Sequence, residues 1–273
     1  MNTQTIRNLI PRRLKALYAE SVSKLARVSH RSDLTNIYHC CVHKTGSQWI
    51  RKILSDRRTF MYTGLRPYHY QSRLKNGDRR DIKDRTFVEP FPRRTIVSPI
   101  YINYEHFHKM PKPERHKAFF IWRDPRDVLV SWYFSTKISH PNKQSDVHRD
   151  HLRSVSESDG LAYGIDLLKS RGLFDALSSW QAANDPHVIV VRYEDLVGES
   201  APGEFRRLFN HLEIPFPDEI LAQLLDDYSF KKLSGRKQGE EDTSSKFRKG
   251  IAGDWKNHFD GGLSRKFAEA IGQ

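Results

Sequence analysis

Apolar positions in this chain fall into short continuous runs and helix-spaced stripes, and the two kinds alternate. Residues 36–43 form a short run containing Ile37, Tyr38 and Val42 that stops at Lys44-Thr45-Gly46-Ser47-Gln48, which predicts a buried strand ending in a loop. Trp49, Ile50, Ile53 and Leu54 then recur at helical spacing, so the unit reads strand, loop, helix. The loop amides of such a unit point at whatever lies above the helix start, which makes it a candidate phosphate cradle. Further strands are predicted over residues 95–98, 117–123 and 187–192, and helices over 128–136, 172–183, 204–212 and 217–225. The alternation predicts a single α/β domain with a mainly parallel central sheet flanked by helices. Residues 141–159 and 231–246 are rich in polar and charged side chains and read as loops.

Ahead of the first strand, Leu14, Leu17, Val22 and Leu25 lie at helix-like spacing among Arg7, Arg12, Arg13, Lys15, Lys24, Arg27 and Arg31. Residues 1–35 are therefore expected to form a basic amphipathic helical segment, either packed on the domain or serving as a membrane-surface or transit element, with residues 36–273 as the domain proper. With 273 residues, 37% hydrophobic and 11% aromatic, the chain has enough apolar area for a core, which excludes disorder throughout. The net charge of +13 favours anionic ligands, be they nucleotides, nucleic acid or acidic membranes. Cys40 and Cys41 are adjacent inside the first strand, so they read as buried thiols rather than a disulfide framework. No apolar stretch approaches the ~20 residues that span a bilayer, and the first residues lack the apolar core of a secretory signal. A cytoplasmic enzyme is the expectation.

The chemistry concentrates in three places. Arg248-Lys249-Gly250-Ile251-Ala252-Gly253-Asp254-Trp255 sets two cations beside glycines that let a backbone approach an anion. In the Lys44 loop the lysine precedes the glycine, the reverse of the Walker A order, which disfavours the usual nucleoside triphosphate geometry. Arg123-Asp124-Pro125-Arg126-Asp127 follows a strand and opens a helix that carries Ser131, so one phosphate can meet a fork-shaped guanidinium and a hydroxyl. Read by itself, Arg123 has the alternative of pairing with Asp127.

Together the three resemble the nucleotide site of sulfotransferases that use 3′-phosphoadenosine-5′-phosphosulfate (PAPS). Lys44, Thr45, Gly46, Ser47 and Trp49 match that family's phosphosulfate loop, with Gln48 at a position usually held by a small polar residue. Arg123, Pro125 and Ser131 match its 3′-phosphate motif, and Arg248, Lys249 and Gly250 its phosphate clamp. Trp49, Tyr193 and Phe230 match the aromatic residues around adenine. The resemblance implies in-line transfer of a sulfuryl group from PAPS to an oxygen or nitrogen of a small-molecule acceptor, a specialised metabolite for preference. It needs no metal, and adenosine 3′,5′-bisphosphate (PAP) is left behind. Lys44 is the candidate for stabilising charge on the bridging oxygen. Residues 231–246 precede the clamp and read either as a lid ordered by nucleotide or as a solvated surface loop.

For a proton acceptor the resemblance gives no residue. Where small-molecule sulfotransferases carry a Thr-His pair, this chain reads Val97-Ser98-Pro99-Ile100. His69 is the first candidate, followed by Glu89, His106 and His108. Tyr62, Tyr68, Tyr70, Tyr101, Tyr104 and Trp132 are candidates for an aromatic acceptor pocket or for the core. The alternative from another class is a basic nucleic-acid-binding protein without catalysis. A nucleotide kinase would need acidic metal ligands near the Lys44 loop, and the sequence offers no such motif there. The oligomeric state is open, since the family's C-terminal dimer motif is not repeated after Phe259.

Overall fold

The computed structural model describes residue 21 and residues 26–74, 77–139 and 146–272. Five parallel strands form one sheet: β1 (Asn36–Cys41), β2 (Arg66–Tyr68), β3 (Thr95–Tyr101), β4 (His116–Trp122) and β5 (Val188–Arg192), in the spatial order β2-β3-β1-β4-β5. β1 lies at the centre with all six residues buried, as expected of a parallel strand covered on both faces. Because successive side chains alternate, Ile37, Ile96, Phe119 and Ile121 feed one apolar layer, and Tyr38, Cys40, Val97 and Phe120 the other.

The first layer is closed by α1 (Ser47–Leu54), α8 (Tyr193–Val197), α9 (Ala201–His211) and α10 (Asp218–Asp227). Against the second pack α3 (Tyr104–Lys109), α4 (Pro125–Phe134), α6 (Glu157–Ser170), α7 (Leu173–Gln181) and α12 (Gly261–Ile271). The short helices α2 (Arg57–Met61), α5 (Asp146–Ser154) and α11 (Phe230–Ser234) complete the set. Trp180 of α7 shows the quality of the packing: it is fully buried, stacks on Phe120 at 4.7 Å and donates from Nε1 to the Ile102 carbonyl at 2.9 Å. Its truncation to alanine is worth about 3–5 kcal/mol.

Two elements differ from the sequence reading for identifiable reasons. β3 runs on to Tyr101 instead of stopping at Ser98, because a bulge accommodates Pro99. Tyr38 pairs with Val97 but Cys40 with Ile100, so β3 carries one extra residue where proline has no N–H to offer. The supposed loop over 141–159 is helical from Asp146, and α6 continues to Ser170. The Ser156 hydroxyl caps α6 by accepting from the Asp159 amide, and Leu161, Ile165 and Leu168 form its buried stripe. That stripe begins only after the Ser- and Asp-rich start that suggested a loop.

Residues 29–35 are tied along the domain: the Ser32 and Thr35 amides donate to the Thr63 and Arg115 carbonyls, and Arg94 donates to the Ser32 and Leu34 carbonyls. Most of the expected N-terminal helix lies outside the described residues. No helix among the described residues is long and apolar enough to cross a membrane. Phe259 packs on Phe267, and Asp260 caps α12 through the Leu263 amide.

Candidate active site

The carboxyl ends of β1, β3, β4 and β5 open into a cavity of about 960 Å³, the place where open parallel sheets hold ligands. At its centre the chain leaves β1 through Lys44 and Gly46, both with left-handed backbone at φ 72° and 81°. A non-glycine residue there costs about 1–2 kcal/mol. Two contacts hold the turn: the Thr45 hydroxyl donates to the Val42 carbonyl at 3.0 Å, and Arg123 donates from Nη1 to the Lys44 carbonyl at 3.0 Å. Thr45 is fully buried and does not line the cavity, so its hydroxyl shapes the loop and does not face a ligand. A Cβ on Gly46 would lie 3.0 Å from the Tyr193 ring, which is how closely the loop and the aromatic wall approach.

Arg123 joins the three anion motifs. It leaves the end of β4 almost fully buried, lies 4.2 Å above the Tyr193 ring and reaches from Nη2 to the Ile251 carbonyl at 3.3 Å, so it spans the Lys44 loop and the clamp. Among the described residues its Nε has no hydrogen-bond partner and no carboxylate pairs with it. Asp127 is occupied elsewhere: its carboxylate accepts from the Gly253 amide at 2.6 Å and from the Trp255 amide at 2.9 Å, seating the clamp on α4. Trp255 lies under the Arg126 guanidinium at 3.5 Å and is structural.

Asp254 organises the clamp itself. It is buried between Arg248, Lys249, His258 and Asn257. Burial by itself would raise its carboxyl, but hydrogen bonds from these four hold it far below the usual carboxylate range. Gly250 has φ 69°, and a Cβ there would come within 2.2 Å of the Phe230 ring, so only glycine allows the clamp to lie against that aromatic. Of residues 231–246, the first four belong to α11 and the rest fold back on the clamp: the Gly239 amide donates to the Lys249 carbonyl, the Asp242 amide to that of Arg248, and Gln238 Nε2 to that of Gly250.

Lys44, Gly46, Ser47, Gln48, Trp49, Arg123, Ser131, Tyr193, Phe230, Arg248, Lys249 and Gly250 all line the cavity. The donor set suits a nucleotide carrying two anionic groups: cations and helix-start amides converge, Trp49 and Phe230 supply ring faces, and a buried guanidinium retains an unused N–H. The Lys44 ammonium bonds to no described residue. Burial first, then Arg123, Arg248 and Lys246, lower its pKa to about 8.

None of the four proposed bases, His69, Glu89, His106 and His108, lines the cavity. His69 follows β2, the edge strand, and its ring bridges the Ser98 carbonyl at 2.7 Å and the Ser55 hydroxyl at 3.3 Å. Glu89 is exposed on the irregular stretch before β3. His106 lies in the first turn of α3, and neither it nor His108 lines the cavity. Of the tyrosine and tryptophan candidates, Tyr101 and Trp132 reach the cavity, whereas Tyr70 is core.

Instead, the acceptor side carries His43, Asp78, Arg85, Tyr101, His148 and Arg171, which sequence reasoning passed over. These residues come from distant segments and share no spacing; only the position of His43, directly before Lys44, offered a signal. Tyr101 is there because of the bulge at Pro99, since a one-residue shift reverses the face a side chain takes. Its hydroxyl meets Ser47 Oγ at 3.0 Å and accepts from Gln48 Nε2 at 3.1 Å.

The profile of the sulfotransferase domain family matches residues 35–273. Among curated relatives, cytosolic sulfotransferase 1 of Arabidopsis thaliana is 35% identical over 159 residues, covering 52% of this chain and 45% of that protein. Sulfotransferase 6B1 of Danio rerio is 29% identical over 161 residues, covering 57% and 51%. The matched stretches thus span about half the length of these relatives. Mouse sulfotransferase SULT7A1 complexed with PAP has a similar fold, with a TM-score of 0.60 at 21% identity over 92% of this chain and 86% of that one. Retinol dehydratase in complex with androsterone and inactive cofactor PAP gives 0.56 at 19% identity, over 93% and 84%. The chain belongs to the sulfotransferase domain family.

Proposed function

We propose that the protein transfers a sulfuryl group from PAPS to a hydroxyl or amine of a small-molecule acceptor, leaving PAP. One observation carries this reading: Arg123 physically ties the Lys44 loop to the Arg248 clamp around one cavity. In this account the amides near Gly46 and Ser47, with Gln48, hold the 5′-side anion, and Lys44 neutralises charge that grows on the leaving oxygen. Arg123, Ser131, Arg248, Lys249 and Gly250 hold the 3′-phosphate. Trp49, Tyr193 and Phe230 receive the base, with the Trp49 indole fixed by donation to the Tyr228 carbonyl at 2.7 Å.

The acceptor is expected to be a polar small molecule such as a specialised metabolite, because its side of the cavity is lined mainly by charged and hydroxyl side chains. Lys44, Arg123, Arg248 and Lys249 line one cavity sized for a nucleotide, which favours the small ligand over nucleic acid. Incubation with sulfur-labelled PAPS and a panel of alcohols, phenols and amines tests the reading. Label moving to an acceptor with stoichiometric PAP release supports it, and binding of single-stranded DNA or RNA without PAP affinity overturns it.

A further inference from the structure

Five uncharged or acidic titratable side chains line the acceptor side, and four are already engaged. Asp78 meets Arg80 at 2.7 Å and Arg85 at 3.3 Å, and Asp81 faces Arg171 at 3.6 Å. Burial holds the Tyr101 phenol up at about 12, so it remains protonated at neutral pH. His148 has both ring nitrogens in use: Nδ1 lies 2.7 Å from the Tyr163 hydroxyl and Nε2 lies 3.0 Å from Arg171 Nη2. A guanidinium can only donate, so Nε2 is the accepting atom and its lone pair is spent.

His43 is the fifth. Neither of its ring nitrogens bonds to a described residue, its exposed surface faces the cavity, and its ring stacks on Tyr101 at 4.0 Å and 24°. It is also the residue immediately before Lys44, so the same turn presents an ammonium and an imidazole to one place. We propose that His43 is the general base that takes the proton from the acceptor. The assignment rests on the sulfotransferase reading and names a residue for it.

The step balances without a further reactant. The acceptor oxygen forms the new bond to sulfur, the bond from sulfur to the bridging phosphate oxygen breaks, PAP leaves with that electron pair, and the acceptor proton passes to the imidazole. Loss of bulk water inside the cavity first, and then the charges of Arg85, Lys44 and Arg171, lower the His43 pKa, so the ring is neutral with a free lone pair at neutral pH even though its surface is open to the cavity. A bound polyanionic donor opposes the part of that shift that comes from those cations.

The test compares the wild type, His43→Gln and His43→Asn, with His69→Gln as a control outside the cavity. PAP affinity is measured by calorimetry, and PAPS turnover with water, with an aliphatic alcohol and with phenols up to the acidity of 4-nitrophenol. The expected result is PAP affinity within about twofold of wild type, and turnover with water and alcohol lower by about 10²–10⁴-fold. The deficit should shrink as the acceptor becomes acidic enough to ionise by itself. Unchanged turnover, or an equal loss across all acceptors, overturns the assignment. Failure of the wild type to bind PAP sinks the sulfotransferase reading instead, and the two failures are thereby distinguishable.

Discussion

Arg123 on the nucleotide side of the cavity and Arg85 on the acceptor side are both almost fully buried, yet they differ in what surrounds them. Arg85 is paired with the Asp78 carboxylate and donates from Nη1 and Nη2 to the Tyr101, Asp78 and Arg80 carbonyls, so it serves the wall. Among the described residues Arg123 meets carbonyls and a ring face but no carboxylate, so its charge is left to attract a ligand. A buried cation without a carboxylate is costly in the empty protein and is therefore a mark of a binding site rather than of stability. The nucleotide side is built for an anion, and the acceptor side largely compensates its own charges.

That contrast can be broken first at Arg123. Arg123→Ala is expected to weaken PAP on the order of 100-fold or more, from loss of a buried charge contact and of the link between loop and clamp, while affinity for AMP changes far less. Calorimetric titration of both nucleotides checks it. Asp127→Ala leaves the Gly253 and Trp255 amides without their acceptor, at about 1–3 kcal/mol for each unsatisfied group. The expected outcome is roughly thirtyfold weaker PAP binding and a thermal midpoint lower by about 5 °C, read by calorimetry and a melting curve. Gly250→Ala costs about 1–2 kcal/mol for its positive φ alone and also forces the Phe230 ring to move, so PAP should weaken at least about tenfold.

A subtler probe uses pH. The Lys44 pKa is depressed to about 8 in the empty cavity, and a bound anion raises it, so PAP binding takes up a proton when the solution is above that value. Affinity is full below about pH 8 and declines as pH rises through it, by at most about tenfold per unit. Titration in two buffers of different ionisation enthalpy should show uptake approaching one proton at pH about 9 and almost none at about 7 in this account, with Lys44→Met abolishing the difference. The smallest effect belongs to Glu89→Gln, an exposed change outside the cavity that should leave turnover and PAP affinity within about twofold of wild type, as such surface substitutions usually do.

The same contrast explains what could be read from the chain. Phosphate recognition needs a strand end, a tight turn and a helix start in immediate succession, so Lys44 to Trp49 and Arg123 to Ser131 carry their geometry in local spacing. The parallel α/β sheet was legible for a related reason, since fully buried strands such as β1 appear as unbroken apolar runs. The acceptor side had no such grammar. Asp78, Tyr101, His148 and Arg171 meet through tertiary packing, and one of them depends on a bulge at Pro99 that no periodicity announces. His69 follows the edge strand β2, two positions from β1 in the sheet, and does not line the cavity. The positioning carboxylates Asp127 and Asp254 were hidden for a different reason, because each stands inside a recognised motif while serving the backbone or side chains of the clamp.

The central claim is that one cavity reads both anionic ends of a 3′,5′-bisphosphorylated nucleotide. Titration of the wild-type protein with PAP and with AMP, which lacks only the 3′-phosphate, tests it most directly. The account predicts saturable one-to-one binding of PAP with AMP on the order of 100-fold weaker, the difference carried by a desolvated phosphate contact. Equal affinity for the two nucleotides would contradict it.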